Sequence, residues 1–263
     1  MQKLFFGAVL LAITVASTPA FAELAAYHHV HLNAPDPDEG ARWYIRHMGC
    51  TLYPGRTNVV NCGAALLLFL KGDPKGPTLG SGVNHIGFAF SPLEAKVNAL
   101  QAAGVKVTVP VRDVPGLFKI AFVEDPWGTR IELVEHEGYS GFHHVHLMAA
   151  NPNETLSWYQ KMFGGVRGKV KDTYTLEGVL YGKVWLYAAL ASKEPIAPTQ
   201  GRVVDHIGFA YANLDAGAVE LKQKGVTFLQ EPLPVQNNIL FVKFAFAQGP
   251  DGVKIELTEA PKR

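Results

Sequence analysis

His28-His29-Val30-His31-Leu32 decides the fold, because the chain repeats it 115 residues later as His143-His144-Val145-His146-Leu147. Successive side chains of a strand point to opposite faces. His29 and His31 therefore share one face, as do His144 and His146. His28 and His143 are expected on the other face, in structural or exposed positions. Taken alone, the pentapeptide also fits a histidine-rich strand end that is hydrogen-bonded and partly wet. The residues downstream of each copy separate these readings.

The correspondence continues along both halves. Trp43-Tyr44 returns as Trp158-Tyr159, and His85-Ile86-Gly87-Phe88-Ala89 as His206-Ile207-Gly208-Phe209-Ala210. Ile131-Glu132-Leu133 returns as Ile255-Glu256-Leu257. The offset grows from 115 to 121 to 124 residues, as it does when loops lengthen between fixed elements. The halves meet in the Gly-rich link Glu137-Gly138-Tyr139-Ser140-Gly141.

Each half divides again. A strand over 28–34 is followed by Pro35-Asp36-Pro37-Asp38, a helix start with Pro and Asp in its first turn. Ala41, Tyr44, Ile45 and Met48 recur at helical spacing, and Gly49 stands at the stop. Strands are expected near 51–54, 57–62 and 64–70. The next unit has a strand over 84–90, a helix through Leu93, Val97 and Leu100, and strands near 105–109, 118–123 and 129–135. In the second half, strand 143–149 leads to a helix carrying Leu156, Tyr159 and Phe163, then to strands Tyr174–Leu180 and Lys183–Ala188. The last unit has strand 205–211, a helix through Leu214, Ala218 and Leu221, and strands near 226–230, 240–246 and 253–258. The pattern is strand-helix-strand-strand-strand, four times, an α+β chain. One such unit buries too little surface to stand alone, so two must pair their sheets. The sequence leaves open whether units one and two pair, or whether partners exchange between the halves; in an exchange His29 would join His206 and Glu256.

Met1-Gln2-Lys3, the apolar run Leu4–Val15 and the small-x-small site Ala20-Phe21-Ala22 read as a secretory signal peptide. Residues 1–22 are set aside, leaving 23–138 and 139–263 as two tandem domains. The expectation is an exported protein, secreted or periplasmic. No later apolar stretch is long enough to cross a bilayer. Lysine and arginine total 24 against 23 acidic residues, with no basic run interleaved with aromatics, which argues against nucleic acid as a partner. Cys50 and Cys62 flank a turn near Arg56, so a cross-strand disulfide and two free buried thiols are both open.

These residues resemble the vicinal oxygen chelate superfamily, which includes glyoxalase I, extradiol dioxygenases, and fosfomycin- and bleomycin-resistance proteins. The matching features are the opening His strand, the Trp-Tyr helix, the His-Ile-Gly-Phe-Ala strand and the closing segments Asp125–Leu133 and Pro250–Leu257. The resemblance implies two glyoxalase/dioxygenase-like domains, each able to hold a divalent metal in a concavity. It selects His29, His85 and Glu132 in the first half, and His144, His206 and Glu256 in the second, as metal ligands. Two imidazoles and a carboxylate suit Fe, Zn, Mn or Ni and leave coordination positions open, the mark of a catalytic rather than a structural site. Glu132 also sits in an apolar strand, where an unpaired carboxylate is costly.

His31 and His146 are candidate acid–base groups, ligands in place of their neighbours, or hydrogen-bonded bystanders. The strands 64–69 and 183–187 lack the carboxylate that glyoxalase I places on the last strand of its first unit. Val123 and Ala247 stand where extradiol dioxygenases carry a tyrosine, and no histidine lies in 105–123 or 226–246. Trp185 and Tyr187 either line the second cavity, favouring an aromatic or apolar substrate, or pack against helices. The expected function is a metal-dependent lyase, isomerase or dioxygenase acting on a small substrate with adjacent oxygens, as monomer or homodimer. The alternatives are a sequestering protein of the bleomycin-resistance type, which binds a small molecule without turnover, and a structural pair with collapsed cavities.

Overall fold

The structure, a computed structural model, describes residues 25–191, 195–236 and 238–261; the signal-peptide segment lies outside them. Unit one comprises β1 (Ala26–Ala34), α1 (Pro37–Met48), β2 (Thr51–Leu52), β3 (Val59–Asn61) and β4 (Leu66–Lys71). Unit two comprises β5 (Val83–Ala89), α2 (Leu93–Ala102), β6 (Lys106–Asp113), β7 (Lys119–Glu124) and β8 (Arg130–Val134). Unit three comprises β9 (Gly141–Ala149), α3 (Pro152–Phe163), β10 (Val166–Lys169), β11 (Glu177–Tyr181) and β12 (Val184–Leu190). Unit four comprises β13 (Val204–Tyr211), α4 (Leu214–Gln223), β14 (Phe228–Pro234), β15 (Lys243–Gln248) and β16 (Lys254–Glu259). The fourfold α+β pattern holds. The short edge strand β10 went unread, because Val166-Arg167-Gly168-Lys169 lacks a run of β-branched or aromatic residues.

Local chemistry sets the helix ends. The Asp36 carboxylate accepts the backbone N–H groups of Asp38 and Glu39, Pro37 occupies the first turn, and Gly49 closes α1 in a left-handed conformation. Asn151 and Asn213 cap α3 and α4 in the same way.

The units exchange partners between the halves. One eight-stranded sheet runs β14-β15-β16-β13-β1-β4-β3-β2 and joins units one and four. The other runs β10-β11-β12-β9-β5-β8-β7-β6 and joins units two and three. In each, the first strands of the two units pair antiparallel at the centre, β1 with β13 and β5 with β9. Alternation then sorts the faces. Val30, Leu32, Ile86, Phe88, Val145, Leu147, Ile207 and Phe209 point into one continuous core that both sheets and all four helices share. Tyr44 of α1 lies against Phe88, and Phe163 of α3 stacks on Phe209, each reaching from one sheet to the other. The histidines occupy the opposite faces.

Alternation fails at two places in each half. The β1–β13 register slips at His28 and at Asp205, and the β5–β9 register slips at Asn84 and at His143. Each slip is a bulge of one extra residue, which keeps consecutive side chains together instead of alternating them. This corrects the expectation for His28 and His143: Nδ1 of His28 lies 2.8 Å from Nδ1 of His29, and Nδ1 of His143 lies 2.8 Å from Nδ1 of His144. Cys50 and Cys62 form a disulfide with Cα atoms 4.4 Å apart. Closing so short a loop constrains the unfolded chain by roughly 3 kcal/mol.

Candidate metal centres

Centre one gathers His29 and His31 from β1, His206 from β13 and Glu256 from β16. Centre two gathers His144 and His146 from β9, His85 from β5 and Glu132 from β8. In each, one donor atom from every residue falls within 4.8 Å of the others. The residues selected from the sequence are thus brought together, but in the exchanged grouping. His31 and His146, set apart as acid–base candidates, stand among the donors.

The glycine of His-Ile-Gly-Phe-Ala makes this geometry possible. His29, Gly208 and Glu256 are register partners across β1, β13 and β16, and His144, Gly87 and Glu132 are partners across β9, β5 and β8. Strands two apart are separated by nearly 10 Å, too far for side chains that stand upright. The His29 ring lies down over Gly208, where an added Cβ would come within 2.0 Å of it, and its Nε2 reaches Glu256 Oε2 at 2.8 Å. The His144 ring lies over Gly87 at the same 2.0 Å, and Nε2 reaches Glu132 Oε2 at 3.0 Å. The sequence held this signal as a glycine inside an otherwise bulky strand, the mark of a close approach.

The remaining donors complete each cluster. His206 Nε2 is 3.1 Å and His31 Nδ1 3.6 Å from Glu256 Oε2, and His85 Nε2 is 3.0 Å from Glu132 Oε2. His31 Nδ1, His144 Nε2 and His146 Nε2 are buried without a hydrogen-bond partner. A buried unpaired polar atom is costly and calls for an occupant. Three imidazoles and one carboxylate, with one orphaned nitrogen in centre one and two in centre two, fit a first-row divalent metal.

Partners behind the imidazoles differ between the centres. His206 Nδ1 donates to the Asp205 carboxylate, which Lys254 also contacts at 3.2 Å. His85 Nδ1 lies 2.8 Å from the Asn84 side-chain oxygen, which accepts from Arg130. Such partners fix ring orientation and raise donor strength, a carboxylate more than an amide. Neither Asp205 nor Asn84 was singled out from the sequence, since a lone polar residue beside a histidine carries no pattern. Behind His144, a second contact joins His143 Nε2 to His136 Nδ1 at 2.9 Å; His28 has no such continuation among the described hydrogen bonds.

Burial sets the protonation of the clusters. It drives His31 and His146 well below the ordinary imidazole value, with neighbouring imidazoles adding to the shift. It takes His85 down to about 4 against the pull of Glu132. For Glu132 and Glu256 burial pushes upward, yet hydrogen bonds from the histidines outweigh it and hold both carboxylates well below their usual range. In His206 the bonds to Asp205 and Glu256 overcome burial and raise the value. Neutral His31, His85 and His146 facing ionised carboxylates are in the states that ligate a metal, whereas His206 would give up its more tightly held proton on ligation.

These shifts link stability to pH. Unfolded histidines take up protons near 6.5, whereas folded His85 does so near 4, and burial also holds folded His31 and His146 well below the ordinary imidazole value. Between pH 6.5 and 4 the unfolded chain binds more protons, so stability falls with pH through that window. His206 opposes this: its contribution is fully present below 6.5 and is lost as pH rises through its raised folded value. His85 alone is expected to lower the stability of metal-free protein by on the order of 3 kcal/mol between pH 7.5 and 4.5, read by urea unfolding. A flat profile would show that the imidazoles are not held neutral.

Hairpin loops roof both centres. Arg56 donates to Asn238 at 2.7 Å, and Leu240 and Phe241 pack on Val59 and Leu68 above centre one. Thr173 donates to the Gly116 carbonyl at 2.6 Å, and Leu117 and Val170 pack on Trp185 and Tyr187 beside centre two. Centre two is the more accessible: Glu132 keeps 13% side-chain exposure against 3% for Glu256. A cavity of about 720 Å³ lies elsewhere, lined by Tyr27, Tyr139, Tyr181 and Lys183 among others. Among the described residues no imidazole or carboxylate lines it, so volume and chemistry part company, and donor chemistry locates the candidate site.

Residues 26–133 and 141–257 each match the family model for the Glyoxalase/Bleomycin resistance protein/Dioxygenase superfamily. The chain belongs to that superfamily. Among solved structures, a V278E mutant of glyoxalase I from Zea mays aligns with a TM-score of 0.69 at 18% identity, over 89% of this chain and 92% of that one. A putative dioxygenase from Bacillus subtilis aligns with a TM-score of 0.65 at 16% identity, over 92% and 87%. At these identities the likeness is one of fold. A probable chloroplastic lactoylglutathione lyase from Arabidopsis thaliana is 27% identical over 189 residues, which make up 67% of this chain and 52% of that protein. The match thus spans about half the length of that relative. No described helix is long and apolar enough to cross a membrane.

Proposed function

We propose that this superfamily member is an exported, metal-dependent enzyme acting on a small substrate that presents two adjacent oxygens. The observation that carries the reading is the pair of three-histidine, one-glutamate clusters, each with an orphaned imidazole nitrogen. A bound divalent ion would supply Lewis-acid chemistry for a lyase or isomerase, or an oxygen-binding centre for a dioxygenase. His29, His31, His206 and Glu256 would hold one ion, and His85, His144, His146 and Glu132 the other. With a ligand on His29 or His144 Nε2, the ring proton moves to Nδ1, where it meets the Nδ1 of His28 or His143. The bulged histidines thereby fix tautomer and ring orientation.

The lyase or isomerase side is favoured by the name of the Arabidopsis relative. The donor set departs from glyoxalase I as the sequence comparison framed it: β4 and β12 place Leu68 and Tyr187 opposite His31 and His146, with no acid on either strand. The fourth donor comes instead from the opening strand. Export is supported by the Met1–Ala22 pattern and by the Cys50–Cys62 disulfide, which an oxidising compartment preserves.

Metal content tests this. Protein purified anaerobically without a histidine tag is expected to hold two divalent ions per chain. Glu132→Gln and Glu256→Gln should each lower that number to one, with binding at the altered centre weakened at least about 100-fold. Iron would direct the assays to dioxygenation, and zinc, manganese or nickel to lyase and isomerase reactions. Failure to bind metal under any loading condition would overturn the proposal in favour of a sequestering protein.

A further inference from the structure

The two centres share their donors but not the side chain opposite the fourth one. In centre one that position is Leu68, the register partner of His31. In centre two it is Tyr187, the register partner of His146. The Tyr187 ring lies with its centroid 5.1 Å from the His144 ring and 5.9 Å from the His146 ring, and Trp185 stacks on it at 5.5 Å. Gly178 on β11 leaves the space: an added Cβ there would stand 2.6 Å from the Tyr187 ring. The residue is 1% exposed, and its hydroxyl has no hydrogen-bond partner.

Burying a hydroxyl without a partner is unfavourable, and packing alone would be served by phenylalanine. The neighbouring Trp185 shows the contrast, since its indole N–H donates to the Tyr139 hydroxyl. Tyr187 therefore keeps an unspent donor beside the only centre of the two that retains side-chain access at its carboxylate.

We propose that the Tyr187 hydroxyl is a ligand-recognition group of centre two, donating a hydrogen bond to an anionic oxygen of the metal-chelating substrate, and that centre one, with Leu68 in its place, binds such oxygens without this contact. The inference rests on the metal reading above. It assigns the two centres different ligand preferences, with centre two the stronger site for a chelating oxyanion.

The probe is acetohydroxamate, a small chelator with two adjacent oxygens, titrated into the full chain loaded with Co(II) and followed by the visible bands of the metal. His29→Ala leaves centre two as the reporter, and His85→Ala leaves centre one. In the His29→Ala background, Tyr187→Phe is expected to weaken acetohydroxamate roughly 10-fold while the cobalt content stays at one. In the His85→Ala background the same substitution should leave the affinity unchanged. Metal-free Tyr187→Phe should melt about 3 °C higher than the parent, because it removes an unpaired buried hydroxyl; a merely structural tyrosine would not combine higher stability with weaker chelator binding. Unchanged affinity in the His29→Ala background, with cobalt bound, would overturn this proposal alone. Absence of cobalt from the parent protein would overturn the metal reading and this inference with it.

Discussion

A chain carrying both His29→Ala and His206→Ala is expected to keep one zinc ion, whereas one carrying His29→Ala and His85→Ala is expected to keep none. The first pair falls in one centre although 177 residues separate the two positions. The second pair lies within one sequence repeat, yet each substitution strikes a different centre. The reason is the sheet order: β1 pairs with β13 rather than β5, so the opening strand of each half is completed by the other half. Loss of one imidazole from a four-donor site should lower its affinity by at least about 100-fold. Dialysis against a weak chelator and then metal counting reads the difference as one ion against none. The reverse result would place each centre within a single half and contradict the exchange.

Gly208→Ala should empty centre one without touching a donor. A Cβ at that position would lie 2.0 Å from His29 Cε1 and 2.3 Å from its Nδ1. Neither neighbour can yield cheaply, because Gly208 is held in the ladder between β1 and β16 and His29 is fully buried. The ring must leave the position from which Nε2 reaches Glu256. The expected outcome is one zinc ion in place of two, with the metal-free protein destabilised by about 2 kcal/mol through overpacking. Urea unfolding and metal analysis of the same preparation check both. The matching Gly87→Ala should spare centre one and empty centre two, since His144 lies over Gly87 as His29 lies over Gly208. Two ions retained in Gly208→Ala would show that His29 does not need to cross the strand.

Much of this was legible in the residues. The fourfold repeat, the Asp36 cap and Gly49 stop of α1, and the apolar alternation of Val30, Leu32, Ile86 and Phe88 are local patterns, and local patterns survive without tertiary knowledge. The candidate donors were legible for a different reason. The resemblance to the superfamily selected His29, His85, Glu132, His144, His206 and Glu256, and histidine and glutamate inside apolar strands agreed with it, because they contradict the composition of a packed core. The edge strand β10 did not, having no apolar periodicity to read.

What the sequence by itself determined is the unit and its contents: strand, helix and three strands, with an inward imidazole opening each unit and a carboxylate closing two of them. Only the tertiary structure decided which units share a sheet, because both pairings satisfy the same hydrophobic pattern and differ only in contacts between residues far apart in the chain. It alone seated His31 and His146 among the donors, where strand alternation fixed their face but not their distance from a carboxylate on another strand. It placed His28 and His143 beside their neighbours, since a bulge is a property of two paired strands and is written in neither one. And it turned Tyr187 toward centre two, opposite a leucine in centre one, a difference that exists only once β12 lies against β9 and β4 against β1.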